Sequence, residues 1–267
     1  MSGEVLMEAG EDGVVRVTLR HTGRLNAMSR GMWRQLRGVF EDIQQRSDVR
    51  CVLIAGEGDA FCAGGDISEY PGFRFDADAL RDFHENDVWG GLNAMLLCDV
   101  PVVAQISGAC MGAGVEIASC CDIRIAGSSA RFGAPIAKLG FPMAPREAQL
   151  VAGAVGDVTA RQMLLEAATF SASDMLARGF LSRMVPDDQI AVEALASAQR
   201  VAALAPQAAR MNKQTFRALK VPLALDGKEL LAIKNIVNGE PDPYAYADSA
   251  EHREGITAFL EKRVPVF

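Results

Sequence analysis

Between residues 14 and 55 the spacing of apolar side chains changes twice, and this limits the possible folds more than any other feature. Val15, Val17 and Leu19 alternate with Arg16 and Thr18, the period of a half-buried strand. A loop follows at residues 21–27. Ser29 then fits the N-cap of a helix whose apolar positions Met32, Leu36, Val39, Phe40 and Ile43 recur at helical spacing. Residues 51–55 are apolar without a break, as in a strand buried on both faces. Strand, helix, strand predicts a right-handed parallel crossover. The unit recurs: residues 101–106 and 122–126 read as strands separated by a glycine-rich turn and a short helix ending near Cys121. From Arg146 the chain is rich in Ala and Leu, with helical periodicity through Val201 and again over 224–238. Pro241 and Pro243 break the pattern before a last helix over 249–262. The reading is an α/β chain with a β-rich core, residues 1–200, and a helical C-terminal region, residues 201–267.

Composition removes several function classes. With 267 residues, 49% of them hydrophobic, the chain can bury a sizeable core in one large domain, or in one domain plus a small appendage. Its longest apolar stretch, 100–126, is interrupted by Gln105, Glu116, Asp122, Arg124 and several glycines, so it does not read as a membrane span. The first residues carry no basic start followed by an apolar run, and the expected compartment is the cytoplasm. A net charge of -7 argues against a nucleic-acid partner. The six cysteines lack C-x-x-C spacing and only three histidines accompany them, which predicts buried free thiols and no metal site.

Two glycine-rich segments carry the candidate chemistry. The first, G-E-G-D-A-F-C-A-G-G-D-I at 56–67, follows a buried strand, yet Phe61 occupies the third glycine position of a dinucleotide-binding fingerprint and excludes it. No G-x-x-x-x-G-K-[ST] phosphate loop occurs. There remains a loop with Ala63, Gly64 and Gly65 before Asp66 and Ile67, a helix start with free N–H groups. The second, G-A-C-M-G-A-G-V-E at 108–116, again follows a strand and enters a helix. Each alone reads equally as an ordinary strand-to-helix turn; two N–H donors converging on one point would form an oxyanion hole.

Taken together, these segments resemble the crotonase, or enoyl-CoA hydratase/isomerase, superfamily. The likeness includes R-L-N-A at 24–27, C-D-I-R-I-A at 121–126, A-R-F-G-A-P at 130–135 and E-G-I-T-A-F-L-E-K-R at 254–263. It implies a crotonase-like core of repeated ββα units with a helical C-terminal region that serves oligomerisation, as a homotrimer or a homohexamer. It also implies an acyl-CoA or enoyl-CoA substrate, with coenzyme A as part of the substrate and no permanently bound cofactor. By motif, the thioester oxygen falls to the amides of Gly65 and Ala113, with Glu116 as acid/base. Arg24, Leu25 and Ala27 match the loop that lies against CoA, and Arg24 stands one position after the lysine many relatives carry there. Ala63, Gly64, Asp66, Ile67, Gly112 and Ile136 fall on substrate-binding positions. Phe259 and Lys262 match positions that reach the CoA adenine and phosphate region, commonly of an adjacent subunit.

The chain departs from the family at one point. Hydratases of the family place a second glutamate directly after F-G-A-P, and here that position is Ile136, which can neither activate water nor manage a proton. Hydration in the two-carboxylate manner is therefore not expected. The resemblance leaves a single-glutamate reaction through a thioester enolate, either isomerisation or hydration/dehydration. Its alternatives are an acyl-CoA decarboxylase, a thioesterase, or a catalytically weak CoA-ester-binding protein; Glu116 argues against the last, since a carboxylate beside an oxyanion hole suits ground-state binding poorly. His84 lies in a stretch matching the family's variable pocket wall, from which some relatives recruit a base, but it reads as a solvated and dispensable histidine on a polar helix. Asp66 reads as a cap for local N–H groups. Glu69 and Tyr70 fit either the pocket or the surface. Arg146 and Glu147 either close the acyl end with polar groups or form an exposed pair at a helix start.

Overall fold

The computed structural model describes residues 3–10, 12–219 and 250–266. In chain order its strands are β1 (Glu4–Ala9), β2 (Val14–Arg20), β3 (Cys51–Gly56), β4 (Val102–Ile106), β5 (Ala109–Met111), β6 (Ile123–Gly127), β7 (Arg131–Gly133), β8 (Thr169–Ser171) and β9 (Arg183–Val185). They form a six-stranded sheet ordered β1-β2-β3-β4-β6-β9 and a three-stranded sheet ordered β5-β7-β8. In the large sheet β1 runs antiparallel to β2 and every other neighbour is parallel. The parallel β2–β3 pair, joined through helix α1 (Arg30–Gln45), is the crossover that the spacing predicts. Ser29 caps α1 by accepting the Met32 N–H at 3.2 Å, and Met32, Trp33, Leu36, Phe40 and Ile43 form its buried stripe.

The unbroken apolar run of β3 has its cause in burial on both faces. Val52 and Ile54 join the main core with α1, whereas Cys51 and Leu53 point to a second cluster formed with Ile190, Ala194, Ala198 and Ala202. Those four lie on one helix, Ile190–Ala202, which closes the opposite face of the sheet. All six cysteines are buried free thiols, and burial pushes those of Cys51, Cys62 and Cys121 up to about 12.

Elsewhere the expected elements need correction. β1 was not expected, and β8 and β9, three residues each, interrupt the supposed helical run after Arg146. That run divides into four helices, Pro145–Val155, Asp157–Leu165, Ala172–Ala177 and Ile190–Ala202. Helices Pro206–Leu219 and Ala250–Glu261 belong to the C-terminal region. The helix expected over 224–238 and the break at Pro241 and Pro243 lie outside the described residues. Among the described residues no helix is long and apolar enough to cross a membrane.

Candidate active site

The two glycine-rich segments lie side by side, joined by backbone hydrogen bonds. Cys62 and Cys110 form a parallel bridge in which Cys62 N–H donates to Ala109 O and Met111 N–H donates to Cys62 O, both at 2.9 Å. Met28 and Gly65 form another, with Met28 N–H donating to Gly64 O and Asp66 N–H to Met28 O, both at 2.8 Å. These bridges engage the neighbouring amides but leave Gly65 N–H and Ala113 N–H without an acceptor among the described residues. Ala113 opens the helix Ala113–Ser119, so its amide is one of the donors a helix cannot satisfy internally. Gly64 (φ +120°) and Gly112 (φ +47°) hold backbone conformations that a side chain would strain, and a Cβ on Gly112 would stand 3.6 Å from the Gly64 Cα.

Gly64, Gly65, Gly112, Ala113 and Glu116 line one cavity of about 250 Å³, and Ala63 and Ile67 border it. Glu116 sits in the first turn of the Ala113–Ser119 helix, 7% exposed, and its carboxyl makes no hydrogen bond among the described residues. Burial, with the charge of Glu147 as a lesser cause, pushes it well above the usual carboxylate range. A carboxyl of raised proton affinity beside two unspent backbone donors is a group that can deliver or accept a proton while negative charge is held nearby.

Ile136 stands on the wall of this cavity, at the start of a short 3₁₀ turn. The part of the wall formed by His84 and Glu147 is where the site differs most from the sequence reading. Glu147, in the first turn of Pro145–Val155, is 4% exposed and lines the cavity, so of its two readings the structure selects the pocket. Arg146 points elsewhere, exposed and paired with Glu85 at 2.8 Å. His84 is not the solvated histidine expected: it lines the same cavity, and its Nδ1 lies 2.8 Å from Glu147 Oε1. It belongs to a π-helical turn, Phe83–Val88, between the helices Ala77–Asp82 and Trp89–Leu97. That turn is pinned to α1 through Asp87, which is buried and accepts from Arg30 Nε at 2.6 Å and Arg34 Nε at 2.7 Å.

Tyr70 lines the cavity too, with its hydroxyl so close to Gly65 that a Cβ there would collide with it; burial pushes the phenol up to about 12. Glu69 instead accepts the Arg30 N–H at 2.8 Å outside the cavity. Arg74, which the sequence reading passed over, stacks over Phe141 at 3.6 Å and Tyr70 at 4.5 Å along the cavity wall. Asp66 caps its 3₁₀ turn as expected, accepting Ser68 N–H at 3.1 Å. Burial pushes the Asp66 carboxyl up, but the Ser68 hydrogen bonds and the charges of Arg24 and His21 outweigh it, leaving it below the usual range.

The R-L-N-A loop is shaped by Asn26, whose Oδ1 accepts His21 N–H at 3.1 Å and whose Nδ2 donates to Glu57 O and Ala60 O at 2.9 and 2.8 Å. Leu25 takes a left-handed conformation (φ +47°) and is 60% exposed, while Ala27 is buried. Arg24 stands 3.4 Å from Asp66 Oδ1. Lys262 is exposed just beyond the Ala250–Glu261 helix, and the Phe259 side chain lies outside the described residues. Among the described residues no group of three or more metal-ligating side chains is placed to hold an ion.

With this geometry in place, comparison with known proteins decides the family. The model of the enoyl-CoA hydratase/isomerase family matches residues 9–267. The chain belongs to the enoyl-CoA hydratase/isomerase family. A probable enoyl-CoA hydratase of Mycobacterium bovis is 31% identical over 100% of this chain and 99% of its own length. A short-chain-enoyl-CoA hydratase of Clostridium acetobutylicum is 30% identical, covering 95% of this chain and 93% of its own. Among solved structures, an enoyl-CoA hydratase/carnithine racemase from Magnetospirillum magneticum superposes with a TM-score of 0.88 at 33% identity, covering 98% of this chain and 94% of that one. The crotonase fold and the membership of an enzyme family expected from the motifs are thus established.

Proposed function

We propose that this enzyme binds an acyl-CoA or enoyl-CoA thioester with its carbonyl oxygen between the amides of Gly65 and Ala113, and transfers a proton at the neighbouring carbon through Glu116. The observation that carries the reading is that two backbone N–H groups without acceptors and a buried carboxyl, whose proton affinity burial raises, line the same cavity. As the proton leaves, charge moves onto the thioester oxygen, and each positioned donor there is worth roughly 10²–10³ in rate. Return of that proton from Glu116 to the γ-carbon shifts the double bond of an enoyl-CoA, which is isomerisation; with a 3-hydroxyacyl-CoA, Glu116 gives the proton to the β-hydroxyl, which leaves as water as the double bond forms, and the reverse adds water. The Arg24–Ala27 loop and Lys262 contact the CoA moiety, with Leu25 offering its exposed side chain. In the same reading the protein is cytoplasmic, and residues 201–267 assemble it into a homotrimer or homohexamer. Phe216 and Leu219, 67% and 73% exposed against the described residues, support an assembly surface there. Incubation with a panel of acyl- and enoyl-CoAs in deuterated water, followed by mass spectrometry, separates exchange, hydration, decarboxylation and hydrolysis. Deuterium incorporation beside the carbonyl supports the reading, whereas binding without any exchange or turnover contradicts it.

A further inference from the structure

The scheme above leaves Glu147 and His84, both on the cavity wall, unused. Glu147 and His84 are 63 residues apart in sequence, yet the carboxylate of one meets Nδ1 of the other at 2.8 Å. An ionised Glu147 can only accept, which puts the hydrogen on Nδ1, and the uncharged tautomer of the ring that makes this contact has its lone pair on Nε2. Nε2 makes no hydrogen bond among the described residues, and the ring lines the cavity that Glu116 also lines. The ring is also fixed: it packs edge-on against Phe83 at 5.0 Å, and the turn carrying it is tied to α1 through Asp87. A histidine oriented by a buried carboxylate is the arrangement of a general base.

We infer that His84, held by Glu147, is the second proton-transfer group of this site and activates water for addition to the double bond of an enoyl-CoA, the task Ile136 cannot perform. The inference rests on the reading of the cavity as a CoA-thioester site. Water gives a proton to His84 Nε2 while its oxygen bonds to the carbon β to the thioester carbonyl. The π pair of the carbon–carbon double bond shifts to form the enolate, whose oxygen takes the Gly65 and Ala113 hydrogen bonds. The α-carbon then takes a proton from Glu116, whose proton affinity burial raises. His84 releases its proton to solvent and Glu116 regains one, so enoyl-CoA and water become 3-hydroxyacyl-CoA with both groups reset. Glu147 touches no reacting atom and is a positioning residue. Thioester hydrolysis is the weaker reading, because it leaves the Glu116 carboxyl in the same cavity without a task.

The test compares the wild-type protein with His84→Gln and Glu147→Gln, measuring 3-hydroxyacyl-CoA formed from crotonyl-CoA and deuterium exchange into butyryl-CoA. His84→Gln is expected to lower hydration by about 10²–10⁴ and to lower exchange far less. Glu147→Gln is expected to lower kcat for hydration with KM unchanged, and free imidazole should restore part of the hydration lost in His84→Ala, which a purely structural defect would not allow. Hydration in His84→Gln within a few-fold of wild type overturns the inference. So does a wild-type protein that exchanges deuterium but adds no water, or one that releases free CoA instead. Absence of both exchange and hydration in the wild type refutes the CoA-thioester reading itself and the inference with it.

Discussion

Replacing Glu116 by Gln separates what this carboxyl does for the reaction from what it costs the fold. In the folded protein its proton is retained well above the usual carboxylate range by burial and by the charge of Glu147. The unfolded chain ionises it near the ordinary value of about 4.3. Below that pH the group is protonated in both states and no penalty arises. Above it the unfolded state gives up a proton that the folded state keeps, so stability falls with rising pH by about 1.4 kcal/mol per unit until the folded group itself titrates. The glutamine of the Glu116→Gln variant has the shape of the protonated acid and no proton to lose, so the variant lacks this slope. Wild type and Glu116→Gln should therefore melt together near pH 4 and diverge toward pH 8, with the variant the more stable. Each kcal/mol of divergence corresponds to about 2–4 °C for a chain of this size. Thermal unfolding at matched protein concentration across that range reads the difference directly, since the titrating groups common to both proteins cancel. Curves that stay parallel from pH 4 to pH 8, or a variant that becomes the less stable one as pH rises, would show that burial does not raise the proton affinity of Glu116.

Other outcomes follow from the packing around the site. Gly114→Ala should destabilise the fold by about 1–3 kcal/mol, because its Cβ would stand 2.5 Å from the Cys62 carbonyl that joins the two glycine segments; an unchanged melting temperature would show that the segments can part freely. Asp87→Ala frees the π-helical turn from Arg30 and Arg34 and should cost about 1–3 kcal/mol, discounted because Arg34 is largely exposed; chemical denaturation measures it, and a loss under a few tenths of a kcal/mol would mean the turn is held by apolar packing alone. Lys262→Ala should weaken CoA-ester binding more than it lowers kcat, since a contact remote from the reacting carbon serves ground and transition states alike; equal binding in calorimetry removes Lys262 from the CoA site.

Much of this architecture was legible because local chemistry and tertiary burial agree. Ser29, the helical stripe from Met32 to Ile43 and the unbroken β3 run each obey one period, and the structure keeps all of them. The glycine segments were legible for a different reason: Gly64 and Gly112 adopt positive φ where two backbones approach closely, so the sequence must spell glycine there. What escaped had no local signature. β8 and β9 are three residues long, too short for alternation to register, and are strands only because β7 and β6 pair with them. Glu147 stands in a helix first turn, where an acidic residue ordinarily serves the helix dipole, and nothing nearby in sequence indicates that it faces His84. His84 stands in a polar stretch, which is why it read as solvated, and the Glu147 it meets is 63 residues away in sequence.

The central claim is that the amides of Gly65 and Ala113 hold a thioester oxygen. Isotope-edited infrared spectroscopy of an unreactive CoA thioester labelled with carbon-13 at the carbonyl tests it without turnover. Two hydrogen bonds to the oxygen draw electron density from the carbon–oxygen bond, so the carbonyl stretch of the bound ester should move to lower frequency than that of the free ester in water. A tightly bound ester whose carbonyl stretch stays at or above its value in water would contradict the account.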